Sequence, residues 1–596
     1  MSPIALTGLL ALALAGTAST VSAQKLAGSA DYVIVGGGPA GFVLAEQLSR
    51  NPRTHVVLLE AGPDAINDTN VNSMLSPFTN SKLQTLIKVL PIAPATYPLI
   101  NHAFFWNFSS QPDPNLGGNA PEMKQGRLFG GGSAVNGQAY CRGSSSVFDE
   151  WAQVSGNRGL SWKSMLESFR ATSHYTHQPA EWEKFTQTSA YGDGPLEVSR
   201  MSGLTGFDLP FAEAVRKELN LKEVDMSDGT GIGVDLGLAS IYVANRTRSY
   251  ARSSFGRLIE NRPNVQMRNG AWVTKVGFEG NTAKNVTFVS EYDGQEYVMQ
   301  GKEIILSAGA LNTPKLLMLS GIGPKKELQK HKIPVLVDAP EVGRNLKDHY
   351  FSIFEYQVVP EVHTLWQWAF NETAAAIYKE QYAANFSGPF GWDNGLVFAG
   401  FRIPDSEFRG VNAKHYTSLP KDRPHVLIEY STVPFIPETP FSTITAWASL
   451  VQPESSGYMT LKSADYRDDP LIYSNYYGTP ADKVAIKYGY KTLRKILARP
   501  EVSPLILSEY YPGADKTSDE DVWKAIQGQA FSFHHPLGTV AIGKVLDKGW
   551  RVKGVKGLRV VDVSTFPSPP TCHPQADVYA LAHRAAQDIL EADRRR

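Results

Sequence analysis

Short apolar runs rich in β-branched residues recur along this chain, each followed by a glycine turn and an amphipathic stretch. Their order reads as repeated strand–turn–helix units. Asp31–Val35 is a run of the kind buried in a parallel sheet, and glycines at 36, 37 and 38 follow it. A helical pattern then runs from about Pro39 to Ser49 with Phe42, Ala45 and Leu48 on one face. A second strand, His55–Leu59, ends at Glu60. Glu303–Ser307 repeats the strand pattern and leads into Gly309–Pro314 and a helix through Leu319. There Asn312 or Thr313 is expected as N-cap, Pro314 as the first helical residue and Gly321 as the stop. Leu558–Asp562 is another buried-strand pattern, and an amphipathic helix from about Asp577 to Ala592 closes the chain. Between 350 and 480 the pattern changes to aromatic- and proline-rich β-type stretches such as His425–Thr432 and Ser442–Gln452, for which an antiparallel sheet with flanking helices is expected.

The first unit carries chemistry. Gly36 allows a tight turn out of the strand, Gly38 lets the backbone approach a pyrophosphate, and Gly41 lets the helix pack close to the strand. The helix N-terminus offers unpaired N–H groups and a positive dipole end to phosphates. Glu60, 24 positions after Gly36, stands where a ribose diol would be bound. The expected fold is α/β. A Rossmann-like dinucleotide-binding domain is assembled from discontinuous segments 27–65, 120–160, 230–348 and 540–596. An α+β substrate-binding domain with an antiparallel sheet is built from 66–119, 161–229 and 349–539.

A chain of 596 residues exceeds one ordinary core and agrees with two domains. Lys+Arg and Asp+Glu both number 58, so no charge imbalance points to nucleic acid or an anionic membrane. Ile4–Ala15 is apolar but too short to span a bilayer, and Val21-Ser22-Ala23 resembles a cleavage site, so 1–23 reads as a secretory signal although its start lacks Lys or Arg. Six Asn-x-Ser/Thr sequons (Asn67, Asn107, Asn245, Asn285, Asn371 and Asn385) agree with a secreted, N-glycosylated chain without a membrane span. The two cysteines, Cys141 and Cys572, make no metal cluster. One bridge between them is compatible with an oxidising compartment, but two separate buried thiols are the plainer expectation.

Near the C-terminus, His535-Pro536-Leu537-Gly538-Thr539 and Cys572-His573-Pro574-Gln575 supply two imidazoles. Of the other histidines, His534 would point away from His535 in an extended segment, His349 reads as a buried structural hydrogen-bonder, and His583 as surface or core.

Four blocks now carry a resemblance. Gly126-Arg127-Leu128-Phe129-Gly130-Gly131-Gly132-Ser133-Ala134-Val135-Asn136-Gly137, Gly309–Gly323, Gly343-Arg344-Asn345-Leu346-Lys347-Asp348-His349 and Val560–Ser564 resemble, in order, recurrent blocks of the glucose-methanol-choline (GMC) oxidoreductases. Phe129 and Gly132-Ser133-Ala134 depart from the usual form of the first block. The resemblance implies FAD, contacted at Gly36, Gly38, Gly41, Glu60, Arg127, Gly131, Ser133, Asn136, Gly137, Val273, Asp562, Pro574 and Gln575. It implies non-covalent FAD, because no His lies in the first block, where some relatives attach it.

The same resemblance makes His535 and His573 the catalytic pair: one imidazole takes the proton of an alcohol substrate while hydride leaves for the flavin, and the other orients the hydroxyl. It implies a small-molecule alcohol substrate and oxygen or a quinone-type compound as electron acceptor; the many aromatics between 350 and 480 favour an aromatic or otherwise apolar alcohol, with hydrophilic sugars as the other choice. A non-redox cyclase, dehydratase or lyase that keeps FAD is the alternative.

Overall fold

The computed structural model describes residues 24–72, 104–177, 185–200, 202–389, 391, 395, 397–436 and 439–595; the expected signal segment lies outside them. Two seven-stranded sheets dominate. In the first, 265–268, 56–59, 24–35 and 296–306 lie side by side in parallel, 558–560 adds to 296–306 in parallel, and the antiparallel strands 282–290 and 271–279 extend the far edge. Val35 aligns with both Leu59 and Leu306, and Leu306 with Val560, so four parallel strands end at one edge. Val33, Ile34, Leu58, Ile304, Ile305 and Val560 are fully buried, as their apolar runs require.

The helix after the first strand spans Pro39–Leu48. It buries every residue from Ala40 to Leu48 rather than the single face expected, because helix Gln575–Arg594 packs against it from outside the sheet. Buried Glu46 is neutralised there by Arg50 and Arg262 at 3.0 and 2.8 Å.

The helix of the second unit differs from expectation at its start. It begins at Gly309, not at Pro314, which sits inside it. Two distant residues make this possible. Asp562 accepts the Gly309 N–H (2.9 Å) and the Thr313 hydroxyl (2.6 Å), replacing a local cap. The Ala310 carbonyl, which the proline leaves without its helical N–H, accepts the Thr539 hydroxyl at 2.6 Å. Ser320 caps the end and Gly321 follows at φ +87°, as expected of the stop.

The second sheet is antiparallel, in the order 506–511, 350–358, 443–450, 426–431, 397–401, 233–236, with 530–532 also paired to 350–358. Residues 233–236, grouped in sequence with the nucleotide half, pair here with 397–401, with Val234 and Leu236 buried and Asp235 paired to Arg200 at 2.9 Å. One face packs on helix Pro480–Leu497, with Phe354 stacked on Tyr490 at 3.9 Å. The opposite face, at odd-numbered positions, carries Phe351, Glu429 and Trp447 and turns toward the carboxyl ends of the first sheet. Among the described residues, no helix is long and apolar enough to cross a membrane and no His, Cys, Asp or Glu cluster could hold a metal.

Candidate active site

One cavity of about 620 Å³ runs from the carboxyl edge of the parallel sheet to the odd-numbered face of the antiparallel sheet. Its position follows the rule that open α/β sheets bind ligands beyond their carboxyl ends. Val35, Gly36, Leu59, Glu60, Ser307, Ala308 and Asp562, the residues at or just past those ends, line it.

The glycine loop is as tight as its sequence implied. Gly36 has φ +111°, and a Cβ there would collide with the Ser307 carbonyl; one on Gly41 would collide with the Gly36 carbonyl. Gly131, at φ +51°, leaves only 2.8 Å between its ideal Cβ position and the Gly38 Cα, so two glycine segments meet backbone to backbone beside the cavity. Helix Pro39–Leu48 has Gly38 as N-cap with no side-chain cap, so its first amides open toward a ligand. Glu60 accepts the N–H groups of Gly37 (2.8 Å) and Gly62 (2.9 Å), and burial pushes its carboxyl up to about 7 against those hydrogen bonds. This cradle fits a dinucleotide: Cβ-free backbone for a pyrophosphate, an uncapped helix start, and an acid with lone pairs left for a diol.

The remaining expected cofactor residues divide into two groups. Gly131, Ser133, Asn136, Gly137, Val273, Asp562, Pro574 and Gln575 line the cavity. Ser133 donates to the Gly130 carbonyl (2.6 Å), and Asn136 clasps Gln575 at 2.6 Å across 439 positions of sequence. Gly41 and Arg127 do not line the cavity. Gly41 serves helix packing, while the Arg127 guanidinium lies 4.9 Å from the Trp106 ring, 5.6 Å from Trp272, and pairs with Glu291. Trp106 and Trp272, which no sequence pattern singled out, line the cavity instead.

His535 and His573 both line the cavity, edge to face, with ring centroids 5.1 Å apart. Three links hold His535. Its N–H donates to Asp348 (3.1 Å), its ring stacks with Phe533 at 5.5 Å, and its Nδ1 lies 3.2 Å from Nδ1 of His349. Asp348 also takes the hydroxyls of Tyr476 and Ser532, and burial pushes its carboxyl up to about 7. His534 is at φ +61°, so the segment turns rather than extends, and this residue too faces the cavity.

The hydrogen-bond partners fix the tautomers. Nε2 of His349 lies 3.0 Å from the Pro570 carbonyl, which only accepts, so that nitrogen carries the proton. Burial, and next the neighbouring His573, bring the His349 pKa down to about 3, so the ring is neutral and its Nδ1 is an acceptor. Nδ1 of His535 therefore donates to it, and Nε2 of His535 keeps its lone pair. Burial, followed by the charges of His573, His349 and His534, holds the His535 pKa well below the ordinary imidazole range. His349 is thus a buried hydrogen-bonder, as expected, but one joined directly to the site.

His573 is gripped by a residue that the sequence reading missed. Its Nε2 lies 2.7 Å from Glu429, whose other oxygen accepts the Trp447 indole N–H at 2.8 Å. Glu429 is 3% exposed within Val426–Ser431, an otherwise apolar strand apart from its last residue; a lone acid at a position facing a cavity was the available signal. Beside the imidazoles, Phe351, Phe435, Trp447, Phe531 and Phe533 form one aromatic wall. Ring centroids lie 4.3 Å apart for Phe351 and Phe533, 5.2 Å for Phe351 and Trp447, and 5.7 Å for Phe435 and Trp447. Cys141 and Cys572, expected as separate thiols, are joined in a disulfide. His583 is half-buried against Ser168, away from the cavity.

Family models described as GMC oxidoreductase match residues 30–351 and 453–582. The chain is 30% identical to the glucose-methanol-choline family oxidoreductase mfmG of Annulohypoxylon moriforme, over 94% of each chain. It is 29% identical to patulin synthase of Aspergillus clavatus, over 94% of this chain and 92% of that one. Among solved structures it is similar to an FAD-dependent oxidoreductase from Chaetomium thermophilum, with TM-score 0.84 and 26% identity over 95% of this chain and 100% of that chain.

Proposed function

Since this chain belongs to the glucose-methanol-choline oxidoreductase family, binds FAD and acts on CH–OH groups as an oxidase or dehydrogenase, we propose that its substrate is a primary or secondary alcohol with an aromatic or otherwise apolar body. The observation that carries the substrate class is the five-ring wall against the two imidazoles. Bound FAD supplies the hydride acceptor, flavin N5. The chain's residues do the rest. Nε2 of His535 accepts the hydroxyl proton as two electrons leave the carbinol carbon with its hydrogen. His573, its Nε2–H held by Glu429, positions the same hydroxyl against His535. The aromatic wall excludes water and seats the substrate body. The product is an aldehyde, a ketone or, from a lactol, a lactone, as would suit secondary metabolism. Oxygen or a quinone-type compound then takes the electrons.

The test is an anaerobic absorbance scan against benzyl-type alcohols, glucose, short aliphatic alcohols and a hydroxylated lactone precursor. Loss of the oxidised-flavin band near roughly 450 nm with the benzyl-type alcohols is expected. Rapid return of colour in air identifies an oxidase. A flavin that no alcohol bleaches would overturn the redox reading in favour of a cyclase, dehydratase or lyase.

Cofactor retention gives a second prediction. Two of the lone-pair sites on the Glu60 carboxylate are used by Gly37 and Gly62, leaving others for a ribose diol. Glu60→Ala should purify with less flavin per chain than the parent. Equal flavin-to-protein absorbance ratios after extended dialysis would remove Glu60 from the cofactor site.

We also propose that the chain matures in the secretory pathway as a glycoprotein. The disulfide supports an oxidising compartment, and Asn67, Asn107, Asn245, Asn371 and Asn385 are exposed while Asn285 is half-buried.

A further inference from the structure

We propose that the Cys141–Cys572 disulfide is a positioning element for His573, fixing the backbone of that residue against the cofactor segment while Glu429 fixes its ring. This rests on the reading that His573 acts on the substrate.

The loop that carries His573 runs from Phe566 to Pro574 without helix or strand. Pro567, Pro569, Pro570 and Pro574 have no N–H, so the loop is poor in donors with which to build its own hydrogen-bonded turns. It is fastened from outside, nearly residue by residue. Trp151 donates to the Ser568 carbonyl (3.1 Å), Gln452 to Pro569 (2.8 Å) and His349 to Pro570 (3.0 Å). The Thr571 hydroxyl accepts the Ser144 N–H at 2.7 Å. The next fastening is covalent. Cys572, directly before His573, is bonded to Cys141, with Cα atoms 6.1 Å apart and 431 positions between them in sequence.

The far end of this bond is well placed to hold the loop still. Cys141 follows Asn136–Ala139, which lines the cavity, and Ala139–Tyr140 is paired with Leu238–Ala239 as a strand. Both sulfurs are buried among Met226, Ala239, Ile241, Phe398, Leu427 and Val451. Phe398 in turn lies 5.5 Å from the His573 ring. The bond therefore joins the wall that carries one imidazole to the segment that carries Asn136 and Gly137, at a distance of one residue from the ring it would position. Misplacement of a reacting group by about 1 Å can cost on the order of 100-fold in rate; the outside hydrogen bonds stop at Thr571, and the bridge is the fastening next to His573 itself.

The experiment compares the parent with Cys141→Ala/Cys572→Ala, both loaded with FAD. Thiol labelling of the denatured, unreduced parent should find no free thiol; two free thiols would overturn the proposal at once. Hydrogen-exchange mass spectrometry should show faster exchange in the Ser568–His573 peptide of the variant, with the Gly36–Ala45 peptide and flavin content unchanged. Flavin reduction at saturating alcohol should slow by about 10- to 100-fold. In a His573→Ala background, removing the bridge should cost less than about threefold, because the two changes act through one ring. Unchanged exchange in the loop, or full additivity with His573→Ala, would overturn the positioning role and leave the bond purely structural. If the parent is bleached by no alcohol, the reading of His573 as catalytic fails, while the exchange comparison still decides whether the bond pins the loop. Should the double variant lose FAD, the parent reduced in place with dithiothreitol serves in the same comparison.

Discussion

His535→Ala should purify yellow, with FAD at the parental ratio, and oxidise alcohol about 10²- to 10⁴-fold more slowly. The cofactor should remain because the groups that cradle it, Gly36, Gly38, Gly131 and Glu60, belong to other segments and make no hydrogen bond to His535. The rate should fall because the only lone pair that His535 offers the cavity is on Nε2, its Nδ1–H being held by His349. Stopped-flow reduction of the flavin under nitrogen separates this step from reoxidation. Parental rates in the variant would sink the assignment of His535 as base.

The same chain of hydrogen bonds sets the pH dependence. His535 acts as a base only when neutral, and its pKa is lowered by burial first and then by the adjoining imidazoles. The neutral form therefore persists into acid. The acid limb of kcat/KM should lie below the ordinary imidazole range, with activity falling as pH drops through it rather than as pH rises. For stability the sign follows from the unfolded chain, where His349 titrates near its ordinary value instead of about 3. Below that ordinary value the unfolded state binds the extra proton, so acid selectively weakens the fold that keeps this ring neutral.

Much of this arrangement could be read from short stretches of sequence, and the parts that could not share a cause. The glycine loop, the parallel strands and the two imidazoles are local patterns: each is recognisable within a dozen residues. The start of helix Gly309–Leu319 is not. Its cap, Asp562, lies 253 positions from Gly309, and the hydroxyl that frees Pro314 from its usual cost comes from Thr539. Helix Pro39–Leu48 contains Glu46 and Gln47, polar side chains that signal an exposed face. Their burial became visible only with Arg262 and helix Gln575–Arg594 in place. The pairing of Cys141 with Cys572 depends on two segments meeting beside the cavity, which spacing does not encode. His349 was legible as a buried hydrogen-bonder, but its partner was not, since His535 is 186 positions away. Glu429 is the instructive omission. A carboxylate inside an apolar strand needs a reason, and the cross-strand register that sets it beside Trp447 and turns both toward His573 provides one.

Glu429→Gln should keep the shape of the site, the flavin content and the melting temperature, yet slow alcohol oxidation by about 10²- to 10⁴-fold, the loss expected when an orienting carboxylate is exchanged for its amide. In the parent, the carboxylate accepts two donors, the Trp447 indole N–H and the His573 Nε2–H. A carboxamide has one accepting oxygen. If that oxygen keeps the indole, which is a donor only, the amide N–H₂ faces His573 and must find a lone pair on Nε2. The proton of His573 then moves to Nδ1, reversing the tautomer. The isosteric change thus separates orientation from packing, which Glu429→Ala would confound by leaving a cavity and an unpaired indole. Stopped-flow reduction of Glu429→Gln, combined with His573→Ala, decides between two accounts. Losses that do not add mean that Glu429 acts through the tautomer of His573. Parental rates in Glu429→Gln would mean that the proton on His573 does not enter the rate-determining chemistry, and that His535 alone carries the acid–base work.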